Sequence, residues 1–127
     1  MGNINSVQRI NFEQVQDTIN NNNPYLLINV LDYNQQDCLI YTTIHADKEE
    51  QEINNCIRGN KEKKIIIYGK NCNDDKIFKK YKQLKLHGFK NLYLYLGGLF
   101  EWLCLQDIYG KEQFKTVGYE NDLLKYK

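Results

Sequence analysis

Short apolar runs alternate along this chain with longer stretches in which apolar residues return every three or four positions. The apolar runs of strand length lie at residues 25–31, 38–44, 65–68 and 92–96. The stretches with helical spacing lie at residues 12–19, 48–57, 77–84 and 99–105. Near-continuous apolar runs are typical of parallel strands buried on both faces. The alternation therefore predicts an α/β fold, in which a central parallel sheet of about five strands carries helices on both faces.

Residues that cap or break helices support these boundaries. Asn11 is expected to cap the first helix, and Asn73 or Asp74 to cap the third, which Gly88 would end. Gly97 and Gly98 predict a turn before the last helix. A last helical turn is possible at residues 121–126.

The length of 127 residues predicts one domain. We divide the chain into a tail at residues 1–9, the α/β domain at residues 10–110 and a polar extension at residues 111–127. Ligands of parallel sheets bind at the carboxyl ends of the strands. The loop at residues 69–74, which follows the strand at residues 65–68, is therefore the expected place for chemistry.

The charges balance to a formal net charge of +1, so no global field favours nucleic acid as a partner. Residues 1–57 hold two basic and eight acidic side chains, whereas residues 58–127 hold fifteen and eight. The basic excess is densest between residues 61 and 90. The predicted docking face for a protein partner or an anionic membrane consists of Lys76, Lys79, Lys80, Lys82 and Lys85. The alternative is an ordinary solvated helix face.

The cysteines are widely spaced and form no metal-binding pattern. They lie at positions 38, 56, 72 and 104, and the two histidines stand alone. We therefore expect no metal site and no cofactor. No secretory leader and no apolar run of about 18–20 residues is present, so we expect reduced thiols and an intracellular protein.

The first six residues, Met-Gly-Asn-Ile-Asn-Ser, match the pattern for N-myristoylation. Gly2 would carry the acyl chain after removal of Met1. A single acyl chain binds membranes only marginally, so stable attachment needs a second signal. The lysine-rich stretch at residues 76–90 could supply that signal, and an ordinary polar tail is the alternative.

The segment LHGFKNLYLYLGGLFEWL, at residues 85–102, resembles the closing part of rhodanese-like domains. It has a Gly-Phe pair, a strand, a Gly-Gly pair and a helix that bears Trp102. The preceding strand, loop and helix stand at the expected distance. The resemblance extends over roughly residues 10–105.

This resemblance implies a sulfurtransferase fold in which a cysteine directly after the central strand becomes a persulfide. A six-residue loop cradles that persulfide at a helix N-terminus, and an arginine of the loop often binds the anionic donor. In this sequence the corresponding loop consists of Gly69, Lys70, Asn71, Cys72, Asn73 and Asp74. Gly69 stands where the family has its nucleophile, and the place of the arginine falls near Asp74.

Two further family patterns are also changed here. The Asp-x-Arg pattern becomes Asn29-Val30-Leu31, and the histidine before the Pro-Gly-Ala segment becomes Leu39. Four losses together indicate that the fold was kept and the sulfurtransferase chemistry was not. We expect no catalytic residue.

Cys72 is the candidate nucleophile if the chain is active. Asp74 and Asp75 lie beside it, and two carboxylates disfavour the thiolate form and repel an anionic sulfur donor. Asp74 would also bond the amide groups that should hold a persulfide. We therefore expect Cys72 to be an unreactive loop thiol.

Three functions remain open. The first is a non-catalytic rhodanese-like module that binds another protein in a regulatory role and is attached to a membrane through N-myristate. The second is a divergent sulfurtransferase that uses Cys72. The third is a structural component of a large assembly.

Overall fold

The computed structural model describes residues 7–21 and 25–127, so the acylation pattern at residues 1–6 lies outside the described residues. The strands are β1 (Gln8–Arg9), β2 (Leu26–Asn29), β3 (Leu39–Ile40), β4 (Thr43–Ile44), β5 (Ile65–Tyr68), β6 (Leu92–Tyr95) and β7 (Thr116–Val117). The α-helices are α1 (Phe12–Asn20), α2 (Ala46–Gly59), α3 (Lys76–Leu86) and α4 (Gly98–Tyr109). A 3₁₀ turn spans Tyr33–Gln35.

The central sheet has five strands in the order β1-β6-β5-β2-β4, and every neighbouring pair is parallel. Each of β2 and β5 is buried along its whole length, as the apolar runs predicted. Successive side chains of β5 alternate between two core clusters, Ile66 and Tyr68 in one, and Ile65 and Ile67 in the other. The predicted α/β fold with a five-stranded parallel sheet is confirmed.

Helices cover both faces of the sheet. α1 and α4 contribute Val15 and Trp102 to one cluster, while α2 and α3 contribute Ile53 and Ile77 to the other. Asn11 caps α1 as expected, because its side chain accepts a hydrogen bond from the Gln14 amide at 3.0 Å.

The segment at residues 38–44 is not one strand, which corrects the sequence prediction. Thr42 adopts a left-handed conformation with φ of 72°, and this turn divides the segment into β3 and β4. β4 pairs with β2 in the main sheet, whereas β3 pairs with β7 in a separate antiparallel pair. An apolar run does not reveal that its two halves join different sheets.

Two other boundaries also differ from the prediction. α4 continues to Tyr109, four residues beyond the expected end at Leu105. Residues 121–126 form turns rather than a helix. The predicted extension at residues 111–127 is mostly polar, but its Phe114 and Tyr126 are buried in the core cluster to which α1 and α4 contribute.

Candidate functional site

The candidate loop at residues 69–74 lies at the carboxyl end of β5, the central strand of the sheet. It leads directly into α3, so its amides lie near the positive end of a helix. Hydrogen bonds hold the loop from two sides. The Leu99 and Phe100 amides of α4 donate to its Gly69 and Lys70 carbonyls at 2.9 Å, and the Asn71 side chain donates to the Tyr126 carbonyl at 2.7 Å.

The Asp74 carboxylate occupies the centre of this loop. Its Oδ2 accepts a hydrogen bond from the Lys70 amide at 3.1 Å, and its Oδ1 accepts one from the Lys76 amide at 3.2 Å. Asp74 is only 8 % exposed. The cap residue itself is Asp75, whose side chain makes no capping bond, so Asp74 serves the helix start from one residue earlier. Two of the amides that would otherwise face a bound anion are thus already satisfied.

The side-chain space of Gly69 is filled by the same carboxylate. A Cβ atom built on Gly69 would lie 2.5 Å from Asp74 Oδ2 and 2.9 Å from Cγ2 of Val30. Both distances are shorter than ordinary van der Waals contacts between heavy atoms. Any side chain at position 69 therefore competes with Asp74 for one volume.

Gly98, at the start of α4, allows the closest approach to this loop. Its φ is +68°, and a Cβ built there would lie 2.6 Å from the Gly69 carbonyl oxygen. The Gly-Gly pair therefore does more than make the predicted turn: it brings α4 against the loop.

Cys72 is exposed, and its sulfur lies 3.9 Å from Oδ1 of Asn73. The other three cysteines are held in the thiol form. Burial raises the pKa of Cys38 to about 11 and also raises the pKa of Cys56 and of Cys104.

A reciprocal amide pair joins Asn29, the last residue of β2, to Gln36. The Asn29 side chain donates to Gln36 Oε1 at 3.0 Å, and the Gln36 side chain donates to Asn29 Oδ1 at 2.8 Å. Gln36 also accepts from the Ala46 amide at the start of α2. This buried pair is neutral and fixes α2 to the end of β2. The sequence analysis missed it, because nothing in the chain marks Gln36 as the partner of Asn29.

An open groove of about 420 Å³ lies beside the loop, between the ends of β2, α2 and α3. Its walls carry both signs of charge. Lys76 pairs with Asp32 at 2.7 Å, and Lys80 pairs with Glu49. The hydrogen bond and charge of Lys76 lower the pKa of Asp32. The five lysines predicted as a docking face are thus divided, since Lys76 and Lys80 are ion-paired.

Lys79, Lys82 and Lys85 are exposed on α3 and have no ion pair with any residue that the structure describes. Among residues 7–21 and 25–127, no three His, Cys, Asp or Glu side chains come together as a metal site. None of the helices in the same ranges has the length and apolar character required to cross a membrane.

Five parallel strands with helices on both faces, and a loop between the central strand and a helix N-terminus, define an α/β protein whose ligands are expected at the carboxyl ends of the strands. The family model described as "Rhodanese-like domain" matches residues 11–104. The chain belongs to the family of rhodanese-like domains. The resemblance identified from the Gly-Phe, Gly-Gly and Trp pattern is confirmed, and no curated protein matches the chain in sequence.

Solved structures agree with this assignment. The chain is similar to Ygr203w, a yeast protein tyrosine phosphatase of the rhodanese family, with a TM-score of 0.66, 16 % identity and coverage of 95 % of this chain and 99 % of that one. It is also similar to the Alr3790 protein of Anabaena, with a TM-score of 0.64, 18 % identity and coverage of 92 % and 83 %. The chain is similar as well to the single-domain sulfurtransferase RDL2 of Saccharomyces cerevisiae, with a TM-score of 0.59, 15 % identity and coverage of 85 % of this chain and 98 % of that one. At these identities the likeness shows the fold alone.

Proposed function

We propose that this chain is a non-catalytic rhodanese-like domain that works in a regulatory role by binding another protein. The observation that carries the proposal is the position of the Asp74 carboxylate. It fills the side-chain space of Gly69, where the family has its nucleophile, and it accepts the Lys70 and Lys76 amides.

Electrostatics supports the same conclusion. A persulfide, like the thiosulfate that forms it, is anionic, and it would have to lie where a carboxylate already accepts the amide hydrogens. Two anions within hydrogen-bonding distance of the same amides repel each other strongly at a buried position. A ligand of that charge is therefore disfavoured at this loop.

The divergent sulfurtransferase remains the competing function, because Cys72 is exposed within the same loop. Its sulfur is accessible to a donor. No ring of loop amides is seen around it, however, and its polar contact is with Asn73. The proposal assigns it no catalytic role.

Intact-mass analysis after incubation with thiosulfate separates the two functions. We expect the wild-type protein and Cys72→Ser to give identical spectra. A gain of one sulfur atom, about 32 Da, in the wild type alone would identify a persulfide on Cys72 and contradict the proposal. The exposed loop position makes this a fair test, since access to the thiol is not limiting.

The unpaired lysines of α3 are the proposed docking face for an acidic surface of the partner. They are Lys79, Lys82 and Lys85. Charge reversal of these three should abolish capture of a partner from native extract, because like charges would then face each other. The matched control reverses Lys111, Lys115 and Lys127, which are exposed and lie outside α3. Equal loss in both variants would refute docking through α3.

A further inference from the structure

The edge of the sheet opposite the candidate loop carries a cluster of basic residues from the middle of the chain. All five strands of the central sheet are parallel, so their amino ends lie together along this edge. We call it the amino edge and define it by residues 58–64, before β5, and residues 86–91, before β6. The two connections contact each other, since the Asn91 side chain donates to the Glu62 carbonyl at 2.7 Å.

The amino edge is strongly basic. Its cations are Arg58, Lys61, Lys63, Lys64 and Lys90, and its single carboxylate is that of Glu62. Among residues 7–21 and 25–127, none of these five cations forms an ion pair. At the carboxyl end of the sheet, by contrast, Lys76 and Lys80 are neutralised by acidic partners. Cations without an ion pair are therefore concentrated along the amino edge, although Lys70 and the exposed lysines of α3 also lack an ion pair within the described residues.

Leu86, within the amino edge, is 88 % exposed. It is the last residue of α3, and the Gly88 turn that follows lies against the Lys61 side chain, whose Nζ is 3.3 Å from a Cβ built on Gly88. An exposed apolar side chain on a basic edge is typical of a surface that meets lipid, because the cations contact the head groups while the apolar group enters the interface.

The N-terminal segment of the chain reaches the same edge. β1 runs parallel to β6, and Gln8 pairs with Tyr93, the second residue of that strand. Val7 therefore stands at the amino edge. Gly2 is five residues earlier, and five residues span at most about 18 Å. An acyl chain on Gly2 and the basic amino edge are therefore close enough along the chain to contact the same membrane surface.

We propose that the amino edge is a membrane-binding surface for anionic phospholipid, acting together with an acyl chain on Gly2. One acyl chain alone gives only marginal binding, and a basic surface of this kind is the second signal that stable attachment needs. The proposal moves the membrane contact from the length of α3 to the loops at the end of the sheet. It leaves the exposed lysines of α3 free for a protein partner.

Binding to vesicles tests the proposal with a matched pair of triple variants. The edge variant is Lys61→Gln/Lys64→Gln/Lys90→Gln. The control is Lys70→Gln/Lys76→Gln/Lys79→Gln, which has the same net charge but loses lysines near the carboxyl ends of the strands. The four residues of β5 separate the two edges by about 13 Å, which exceeds the Debye length of about 8 Å at physiological salt. The control lysines should therefore contribute little.

The protein is produced with an N-myristoyltransferase and also as the unacylated Gly2→Ala variant. The vesicles are phosphatidylcholine with roughly one third phosphatidylserine, or phosphatidylcholine alone, and binding is measured by flotation. Each lysine near an anionic surface is worth about fivefold in partitioning, so the edge variant should bind on the order of 100-fold more weakly than wild type. The control should stay within about twofold.

Equal loss of binding in the two triple variants would overturn the proposal, because net charge alone would then explain attachment. Unchanged binding of the edge variant would overturn it as well, and so would failure of both acylated and unacylated protein to bind the anionic vesicles. The proposal is independent of catalytic inactivity, since the thiosulfate and docking experiments contain no lipid.

Discussion

A side chain introduced at Gly69 tests whether Asp74 fills the nucleophile's place. Gly69→Cys introduces the residue type that the resemblance to the family predicts at this position. The new Cβ would lie 2.5 Å from Asp74 Oδ2, so either the loop backbone shifts or the carboxylate leaves its position. In the second case the Lys70 and Lys76 amides lose their partner.

The expected loss in the free energy of unfolding follows from these two ways of relieving the overlap. Overpacking at a buried site costs about 1–3 kcal/mol. Loss of a hydrogen bond to a charged group costs about 1.5–3 kcal/mol. We therefore expect Gly69→Cys to lower the free energy of unfolding by about 2–4 kcal/mol. With a urea m-value near 2 kcal/mol/M, the midpoint should fall by about 1–2 M.

Urea unfolding followed by tryptophan fluorescence measures the effect, because Trp102 is the single tryptophan and is fully buried. Gly59→Cys is the control, since a Cβ on Gly59 has no atom within 4 Å. Asp74→Ala and the double variant Gly69→Cys/Asp74→Ala complete a cycle. The double variant should be more stable than the sum of the single effects by at least about 1 kcal/mol, because the overlap needs both side chains. Additive effects, or a Gly69→Cys protein as stable as wild type, would refute the reasoning.

Three further predictions concern the surroundings of the loop. Gly98→Ala should destabilise the protein by about 2–4 kcal/mol in urea, because its Cβ meets a loop carbonyl and its φ is +68°. Gly59→Ala, whose Cβ has no atom within 4 Å, should be neutral or stabilising by up to about 1 kcal/mol; similar losses in the two variants would contradict the close approach. Phe114→Ala should lower the free energy of unfolding by about 3–5 kcal/mol, because the side chain is buried. Tyr119→Ala, at an exposed site, should lower it by less than about 0.5 kcal/mol. A small effect of Phe114→Ala would show that residues 111–127 do not belong to the core. The pKa of the Cys38 thiol is raised from 9.0 to about 11. Its contribution to the free energy of unfolding is therefore present below pH 9 and is lost as the pH rises toward 11. Cys38→Ala should reduce that loss in urea titrations at increasing pH, and an unchanged pH profile would contradict the prediction.

The hydrophobic pattern by itself determined the class of the fold. The apolar runs predicted β2, β5 and β6, which are buried in the sheet. Apolar side chains on both faces of a strand require helices that cover both faces of the sheet. The Gly-Phe, Gly-Gly and Trp spacing was enough to identify the family. The polar loop after β5 was placed correctly, because the carboxyl end of a central parallel strand follows from strand order alone.

The contents of the site depended on tertiary structure. The sequence predicted that Asp74 would bond the loop amides, which is confirmed, but it did not show that the same carboxylate occupies the side-chain space of Gly69, five positions earlier. The pairing of Asn29 with Gln36, and of β3 with β7, joins segments with no shared periodicity. The burial of Phe114 and Tyr126 within a polar segment was hidden for the same reason.

The charged residues show most clearly what the sequence determined and what only the tertiary structure decided. The sequence determined that residues 58–127 are basic and that α3 is rich in lysine. Only the fold decided which lysines meet an acid, because Asp32 and Glu49 come from β-strand connections and α2, on the other side of the groove from α3. Parallel strands then gather the loops that precede them at one edge, and this is why lysines separated by nearly thirty residues form one unpaired surface.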